Sequence, residues 1–253
     1  MDLNQLKQSP QREFDLCIIG SGPAGLSLAS QFFDTNISVV LLESGPLDPS
    51  EQHDRLNHAI STGEREVDAV NSRLRCFGGA SRLWAGVCAP MSKRDLEGYP
   101  NLEIDGWPIS LSELDEYYEA AAELLQENMH SFSKPVNALN TQLGDAFSKL
   151  ELNGIKANVY AKAQAKDLSE ALQRRLFGAR NIKILTNATV LDFNVKNNQI
   201  ESVVTSTIGS KKFDIKARYF ALCTGALEVP RLLLTSSLYS DHDVPKHLGR
   251  NFM

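Results

Sequence analysis

The sequence predicts an α/β fold with a parallel central sheet, a β-meander and a mainly helical insertion, and three observations carry that expectation. An apolar, β-rich run, FDLCII at residues 14–19, is followed by a glycine-rich turn, a helical pattern and a second β-rich run, ISVVLLE, a βαβ unit of roughly thirty residues. Residues 91–179 carry two helical patterns, each opened by a capping signal. From residue 181 the period shortens to β-rich runs broken by Asn-Asn and Gly-Ser turn signals.

FDLCII has the composition of a strand buried on both faces, and Gly20 ends it. PAGLSLASQFF places Leu26, Ala29 and Phe33 on one helical face, with Pro23 in the first turn, where a missing N–H is tolerated. ISVVLLE then restores strand character and completes a crossover of right-handed sense. Residues 44–75 are polar and poorly periodic, mostly loop with room for one helix. After WPIS, Ser110 and Glu113 match the S-x-x-E capping box, and Leu111, Leu114, Tyr118, Ala121 and Leu125 recur as one buried face. A second box, Asp167 with Glu170, opens DLSEALQRRLF, and Gly178 stands where a left-handed residue closes a helix. NIKIL, ATVLDFNV, QIESVVTSTI and KKFDIKARY read as a meander of hairpins. YFALCTG follows as a further buried strand that ends in glycine.

Composition bounds the partners. The chain has 253 residues, 42% hydrophobic and 23% charged, enough for one large domain or a domain with an inserted layer. A net charge of −5 without a basic run argues against a nucleic-acid partner. MDLNQLKQSPQRE lacks the apolar stretch of a secretory signal, and no window approaches the ~18–20 apolar residues of a membrane span, so a cytoplasmic protein is expected. Cys17, Cys76, Cys88 and Cys223 form no C-x-x-C pair and read as structural thiols. His53, His58, His130, His242 and His247 have no metal-ligand spacing, and no metal is expected.

Gly20, Gly22 and Gly25 form G-x-G-x-x-G after a strand and before a helix, with Ser21, Pro23 and Ala24 completing the turn. Gly20 permits the tight turn, Gly22 lets a diphosphate approach the main chain, and Gly25 lets helix and strand pack closely. Backbone amides and the positive end of the helix dipole would hold the anion. The alternative is a glycine-rich turn without a ligand. Glu43, followed by Ser44, ends the second strand where a carboxylate accepts hydrogen bonds from a ribose and repels a 2′-phosphate. That disfavours NADP and leaves NAD and FAD, unless Glu43 is simply a solvated strand end. RLRCFGGASRLWAG, residues 73–86, gathers small residues with one hydroxyl and one indole. It suits either a loop approached by a flat, extended ligand or one packed around a tryptophan.

Four stretches in this order resemble the glucose-methanol-choline (GMC) oxidoreductases, FAD-dependent enzymes that oxidise alcohols. They are DLCIIGSGPAGLSLA with LLESG, GGASRLWAG, DGWPISLSELDEYYEAAAELL, and ALCTGALEVPRLLLTS followed by LGRNF. The third stretch and the tryptophan after GGAS look most like the branch containing bacterial sugar and sugar-acid dehydrogenases and pyranose oxidase. Members of that branch often carry histidine before the tryptophan, in some attached covalently to the flavin. Leu83 stands there in this chain, which implies a non-covalent flavin.

The resemblance implies a Rossmann-type FAD-binding domain at residues 12–90 and 180–253, with the helical insertion at 91–179 beginning a substrate or cap region. Gly78, Gly79, Ala80 and Ser81 would lie along the diphosphate and the flavin, Trp84 and Gly86 would shape the same wall, and Val190 would meet the adenine. Thr224 and Gly225 would end a strand beside the cofactor. Val229 and Ser237 depart from the family's commoner residues, Ser or Thr and Gly. The implied activity is oxidation of a CH–OH group of a sugar, sugar acid or polyol, with an electron acceptor that the motifs do not identify. In the family the catalytic histidine lies in a second half, so this chain is expected to be an incomplete part without a catalytic residue. The alternatives are a small non-catalytic flavin-binding protein and an NAD-linked flavoprotein reductase; the latter should carry a second G-x-G-x-x-G, which is absent from the sequence.

Overall fold

Strand β1 (Phe14–Ile19), apolar except for Asp15, lies inside a six-stranded sheet with a neighbour on each side. It pairs in parallel with β2 (Val39–Leu42) on one side and with the last strand of the sheet on the other. The computed structural model describes residues 1–5, 13–63, 68–102, 104–126, 160–209, 211–239 and 244–250. The middle of the predicted insertion, 127–159, with His130, and also His242, lie outside the described residues.

Helix α1 (Pro23–Ser30) connects β1 to β2 and buries Gly25, Leu26 and Ala29. Phe33 falls beyond its end, half-buried, with the Arg175 guanidinium 4.3 Å from its ring centroid. Among the described residues between 44 and 75 lie one short helix, α2 (Glu51–Asp54), and a 3-10 turn at Arg55–Asn57.

Two units divide the chain: residues 1–83 with 167–253, and residues 84–166. The second unit contains strands β3 (Val87–Cys88) and β4 (Ala161–Lys162), which pair antiparallel, and helices α3 (Lys93–Leu96) and α4 (Leu111–Leu124). The Ser110–Glu113 box forms as the sequence predicts, with Glu113 accepting the Ser110 N–H at 2.8 Å. The apolar face differs at one position. Ala122 is buried and Ala121 exposed, while Leu111, Leu114, Tyr118 and Leu125 are half-buried.

In the first unit, α5 (Leu168–Gly178) starts at Asp167, whose Oδ1 accepts the N–H groups of Ser169 and Glu170 at 2.9 and 3.3 Å. Its end departs from expectation. Gly178 is the last helical residue and has no positive φ; the chain leaves through Ala179 at φ −71°, ψ 126°, straight into extended backbone.

The β-rich region also sorts differently. NIKIL supplies β5 (Ile182–Leu185), which pairs in parallel with β2 and so joins the central sheet instead of the meander. Its burial over nearly every residue suits a sheet covered on both faces. The meander consists of β6 (Thr189–Lys196), β7 (Gln199–Ser206) and β8 (Lys212–Leu222). KKFDIKARY and YFAL are one strand, not two. Lys212–Lys216 pair antiparallel with β7, and from Ala217 the strand continues in parallel with β1. The strand order is therefore β5-β2-β1-β8-β7-β6.

Side chains alternate along each strand, so Cys17 and Ile19 of β1 share a face with Val40 and Leu42 of β2 in a core completed by Leu185, Val190, Phe193, Val203, Phe213, Ile215 and Leu232. Ile18, Val39 and Leu41 are fully buried on the opposite face. Helix α6 (Gly225–Thr235) follows β8 and contributes Leu232. From β1 the chain turns to β2 on one side and meets β8 on the other, which places a switch point at the carboxyl ends of these strands.

Candidate functional site: a pocket at the carboxyl ends of β1, β2 and β8

A pocket of about 800 Å³ opens at that switch point. Three strand ends line it: Ile19–Ala24 from β1 and α1, Leu42–Ser44 from β2, and Leu222–Leu232 from β8 and α6. Ser72–Arg75, Gly79, Ala80, Ala188, Val190 and Asn57 complete the wall.

The glycines divide the work of the turn. Gly20 has φ +101°, and a Cβ there would stand 2.6 Å from the Cys223 carbonyl oxygen, so only glycine lets β1 turn against β8. A Cβ on Gly25 would stand 1.9 Å from the Gly20 carbonyl oxygen, which fixes the close approach of α1 to the turn. Gly22 is different: φ is −71° and nothing lies within 4 Å of the position of a Cβ. Its backbone borders open pocket. No side chain caps α1, and Pro23 has no N–H, so the first-turn amides that lack intrahelical partners are available to an anion at the pocket floor.

Glu43 is 5% exposed and bound on both oxygens. Oε2 accepts the Ser21 N–H at 3.1 Å and the Ser21 hydroxyl at 2.5 Å, and Oε1 accepts the Gly45 N–H at 2.8 Å. Burial pushes its carboxyl above the usual carboxylate range, against those hydrogen bonds and the Arg75 charge, which favour ionisation. Each carboxylate oxygen offers two lone pairs, and Oε1 has one beyond its Gly45 bond. Thr224 Oγ1 is buried without a hydrogen-bond partner, and its residue lines the pocket.

The structure brings Gly20, Ser21, Gly22, Pro23, Ala24, Glu43, Ser44, Gly79, Ala80, Val190, Thr224 and Gly225 to one pocket. Gly25 lies behind the turn. Gly78, at φ +100°, donates its N–H to the Ser21 carbonyl at 3.1 Å, and a Cβ on Gly79 would stand 3.0 Å from Gly22 Cα. The two glycine turns thus pack on each other. Ser81 is buried away from the lining; its hydroxyl donates to the Gly78 carbonyl at 2.8 Å and accepts the Leu168 N–H at 3.3 Å. Trp84 and Gly86 belong to the second unit, where Trp84 Nε1 donates to the Lys166 carbonyl at 2.7 Å and the Gly86 carbonyl accepts the Ala163 N–H at 2.7 Å.

Sequence reasoning missed a charged cluster in the wall. Glu228 Oε1 receives Arg73 Nη1 at 2.7 Å and Arg75 Nη2 at 3.2 Å, while Oε2 receives Arg231 Nε at 2.7 Å. Arg75 Nη1 also donates to Ser44 Oγ at 3.0 Å, next to Glu43. Burial opposes the charge on Glu228, but Arg75 and the hydrogen bonds from Arg231 and Arg73 outweigh it and hold this carboxyl below its usual range. The signal was Glu228 and Arg231 as the two charges in the mostly apolar GALEVPRLLL, and Arg-x-Arg ahead of the glycine pair.

Among the described residues no histidine lines the pocket, and no group of His, Cys, Asp and Glu could hold a metal ion. No helix among them is long and apolar enough to cross a membrane.

No curated protein matches this chain. Among solved structures, an FAD-dependent oxidoreductase from Chaetomium thermophilum, in complex with a butanamide fragment, is 19% identical over 89% of this chain and 48% of that one, with a TM-score of 0.62, and shares the fold. Pyridoxine 4-oxidase from Mesorbium loti is 20% identical over 88% of this chain and 52% of that one, with a TM-score of 0.48. The chain therefore spans about half the length of both. The family model described as FAD dependent oxidoreductase matches residues 15–242. With most of its length inside that match, the chain belongs to the FAD dependent oxidoreductase family.

Proposed function

We propose that this chain holds FAD in the pocket at the ends of β1, β2 and β8, as the cofactor-binding part of a GMC-type oxidoreductase that oxidises a CH–OH group of a sugar, sugar acid or polyol. One observation carries the reading: the glycine turn, Glu43 and the buried Thr224 hydroxyl converge on one cavity. The open side of Gly22 and the uncapped start of α1 suit the diphosphate, and the remaining Oε1 lone pair of Glu43 suits a ribose hydroxyl. Thr224 offers a donor that has no protein partner. The Ser44–Thr189 hydroxyl pair, at 2.7 Å, and Val190 lie beyond Glu43, where an adenine would rest.

Bound FAD supplies a two-electron acceptor for a hydride leaving a carbon that bears a hydroxyl. The hydroxyl proton needs a base, and among the described residues the pocket wall offers no imidazole. This chain's residues bind and orient the cofactor; the preference for sugars and polyols rests on the sequence motifs.

Titration of cofactor-free protein with FAD, followed by flavin fluorescence and the visible spectrum, tests the assignment. Saturable uptake of one FAD, released intact by denaturation, is expected. A protein that refuses FAD while a nicotinamide nucleotide occupies the same pocket overturns it.

A further inference from the structure

Arg73 and Glu228 are separated by 155 positions in the chain, yet their side chains meet at the pocket wall. Glu228 stands in the opening turns of α6. Arg73 and Arg75 stand on Ser72–Arg75, a segment without helix or strand that lines the same cavity. The bridge is largely removed from water, with side-chain exposures of 20% for Arg73, 11% for Arg75 and 12% for Glu228. It therefore holds more firmly than an exposed pair of the same geometry.

The rest of the segment is anchored mostly through side chains. Arg73 Nη2 donates to the Asn57 carbonyl at 2.8 Å, Arg75 Nε to Asn57 Oδ1 at 3.0 Å, and Asp54 Oδ1 accepts the Arg75 N–H at 2.9 Å. Side-chain anchors exchange partners without unravelling a helix or a strand ladder. Three guanidinium groups against the carboxylates of Glu228 and Glu43 leave the wall with a positive excess. An incoming diphosphate is attracted there and offers competing acceptors to the groups that close the bridge.

We propose that Glu228 is a latch: by gripping Arg73 and Arg75 it ties the Ser72–Arg75 segment to α6 beside the cavity and sets the rate at which FAD enters and leaves. The latch rests on the assignment of this pocket to FAD. It differs from an ordinary cofactor contact in its kinetic signature. A contact made only in the bound state slows escape and leaves entry unchanged, whereas a latch slows both.

The test is stopped-flow mixing of cofactor-free protein with FAD, and displacement of bound FAD, in wild type and Glu228→Gln. Association and dissociation both accelerate about tenfold in the variant, the equivalent of one partly buried ion pair, while Kd stays within about threefold. Arg73→Gln, which leaves Arg75 and Arg231 on Glu228, shifts both rates in the same direction and serves if Glu228→Gln fails to fold. Faster dissociation with unchanged association overturns the latch and makes Glu228 a determinant of affinity. Unchanged rates overturn it as well. Wild-type protein that takes up no FAD overturns the pocket assignment and the latch together, whereas normal uptake with either contrary kinetic pattern removes the latch alone.

Discussion

Ser21 gives Glu43 two hydrogen bonds to a single carboxylate oxygen, one from its N–H at 3.1 Å and one from its hydroxyl at 2.5 Å, and so joins the first glycine turn to the end of β2. Burial raises the Glu43 pKa above its ordinary 4.5, so the folded chain binds that proton more tightly than the unfolded one. With a raised carboxyl pKa, stability is lost as pH rises from 4.5 through the folded value. Ser21→Ala removes the hydroxyl donor and raises that pKa further. Above the folded pKa of Glu43, where the carboxylate is ionised, the variant is expected to be less stable by about 1.5–3 kcal/mol, the range for a hydrogen bond to a charged group. The deficit shrinks on the acid side, where both proteins carry a protonated Glu43. Urea unfolding across pH measures it, and a deficit independent of pH would exclude ionised Glu43 as the partner.

Gly22 and Gly25 separate binding from folding. Gly25→Ala places a methyl 1.9 Å from a carbonyl oxygen of the turn, and backbone there has no room to yield. A loss of about 3 kcal/mol or more is expected, enough to threaten folding. Gly22→Ala meets nothing within 4 Å and has φ −71°, so its melting temperature is expected to match the wild type. The same methyl faces the cavity and obstructs a diphosphate, so FAD affinity falls at least about tenfold, or 1.4 kcal/mol. Differential scanning and FAD titration of both variants check the pair; a Gly22→Ala protein with wild-type affinity would place the diphosphate elsewhere.

Thr224 offers a third, cleaner separation. Its hydroxyl is buried without a partner, a position that costs the folded protein about 1–3 kcal/mol unless something fills it. Thr224→Val keeps the shape and removes the hydroxyl. The cofactor-free protein is expected to be as stable as wild type or more so, while FAD binding weakens. Melting curves with and without FAD read both effects, and a destabilised cofactor-free variant would show that the hydroxyl serves the protein instead of a ligand.

What the sequence makes legible here is what neighbours in the chain decide. The strand, turn and helix from Phe14 to Ser30 and the Ser110 capping box are short-range structures, set by steric demand and by donors a few residues away. Tertiary pairing decides the rest. Ile182–Leu185 has the same β-rich composition as the hairpins after it, and only its parallel partner β2 places it in the central sheet. Lys212–Leu222 looks like two strands because alternation gives way to an apolar run at the point where its neighbours change from β7 to β1. For the Arg73–Glu228 bridge the chain shows the charges but not the pairing, since nothing near Glu228 says that Arg73, 155 positions away, will meet it.

The same bridge makes stability depend on pH in the sense opposite to Glu43. The pKa of Glu228 is lowered: burial opposes its charge, but the Arg75 charge and hydrogen bonds from Arg231 and Arg73 prevail. A depressed carboxyl pKa contributes stability that is present above the ordinary 4.5 and is lost as pH falls through the folded value. Glu228→Gln keeps the volume, removes the charge and leaves three guanidinium groups without their shared counter-ion. At neutral pH the variant is expected to be less stable than wild type by about 2 kcal/mol, between the values for exposed and fully buried pairs. As pH falls below 4.5 the wild type protonates Glu228 and loses that advantage, so the two unfolding curves converge. A gap that stays constant from neutral to acid pH would mean that Glu228 stabilises α6 through packing, not through its charge.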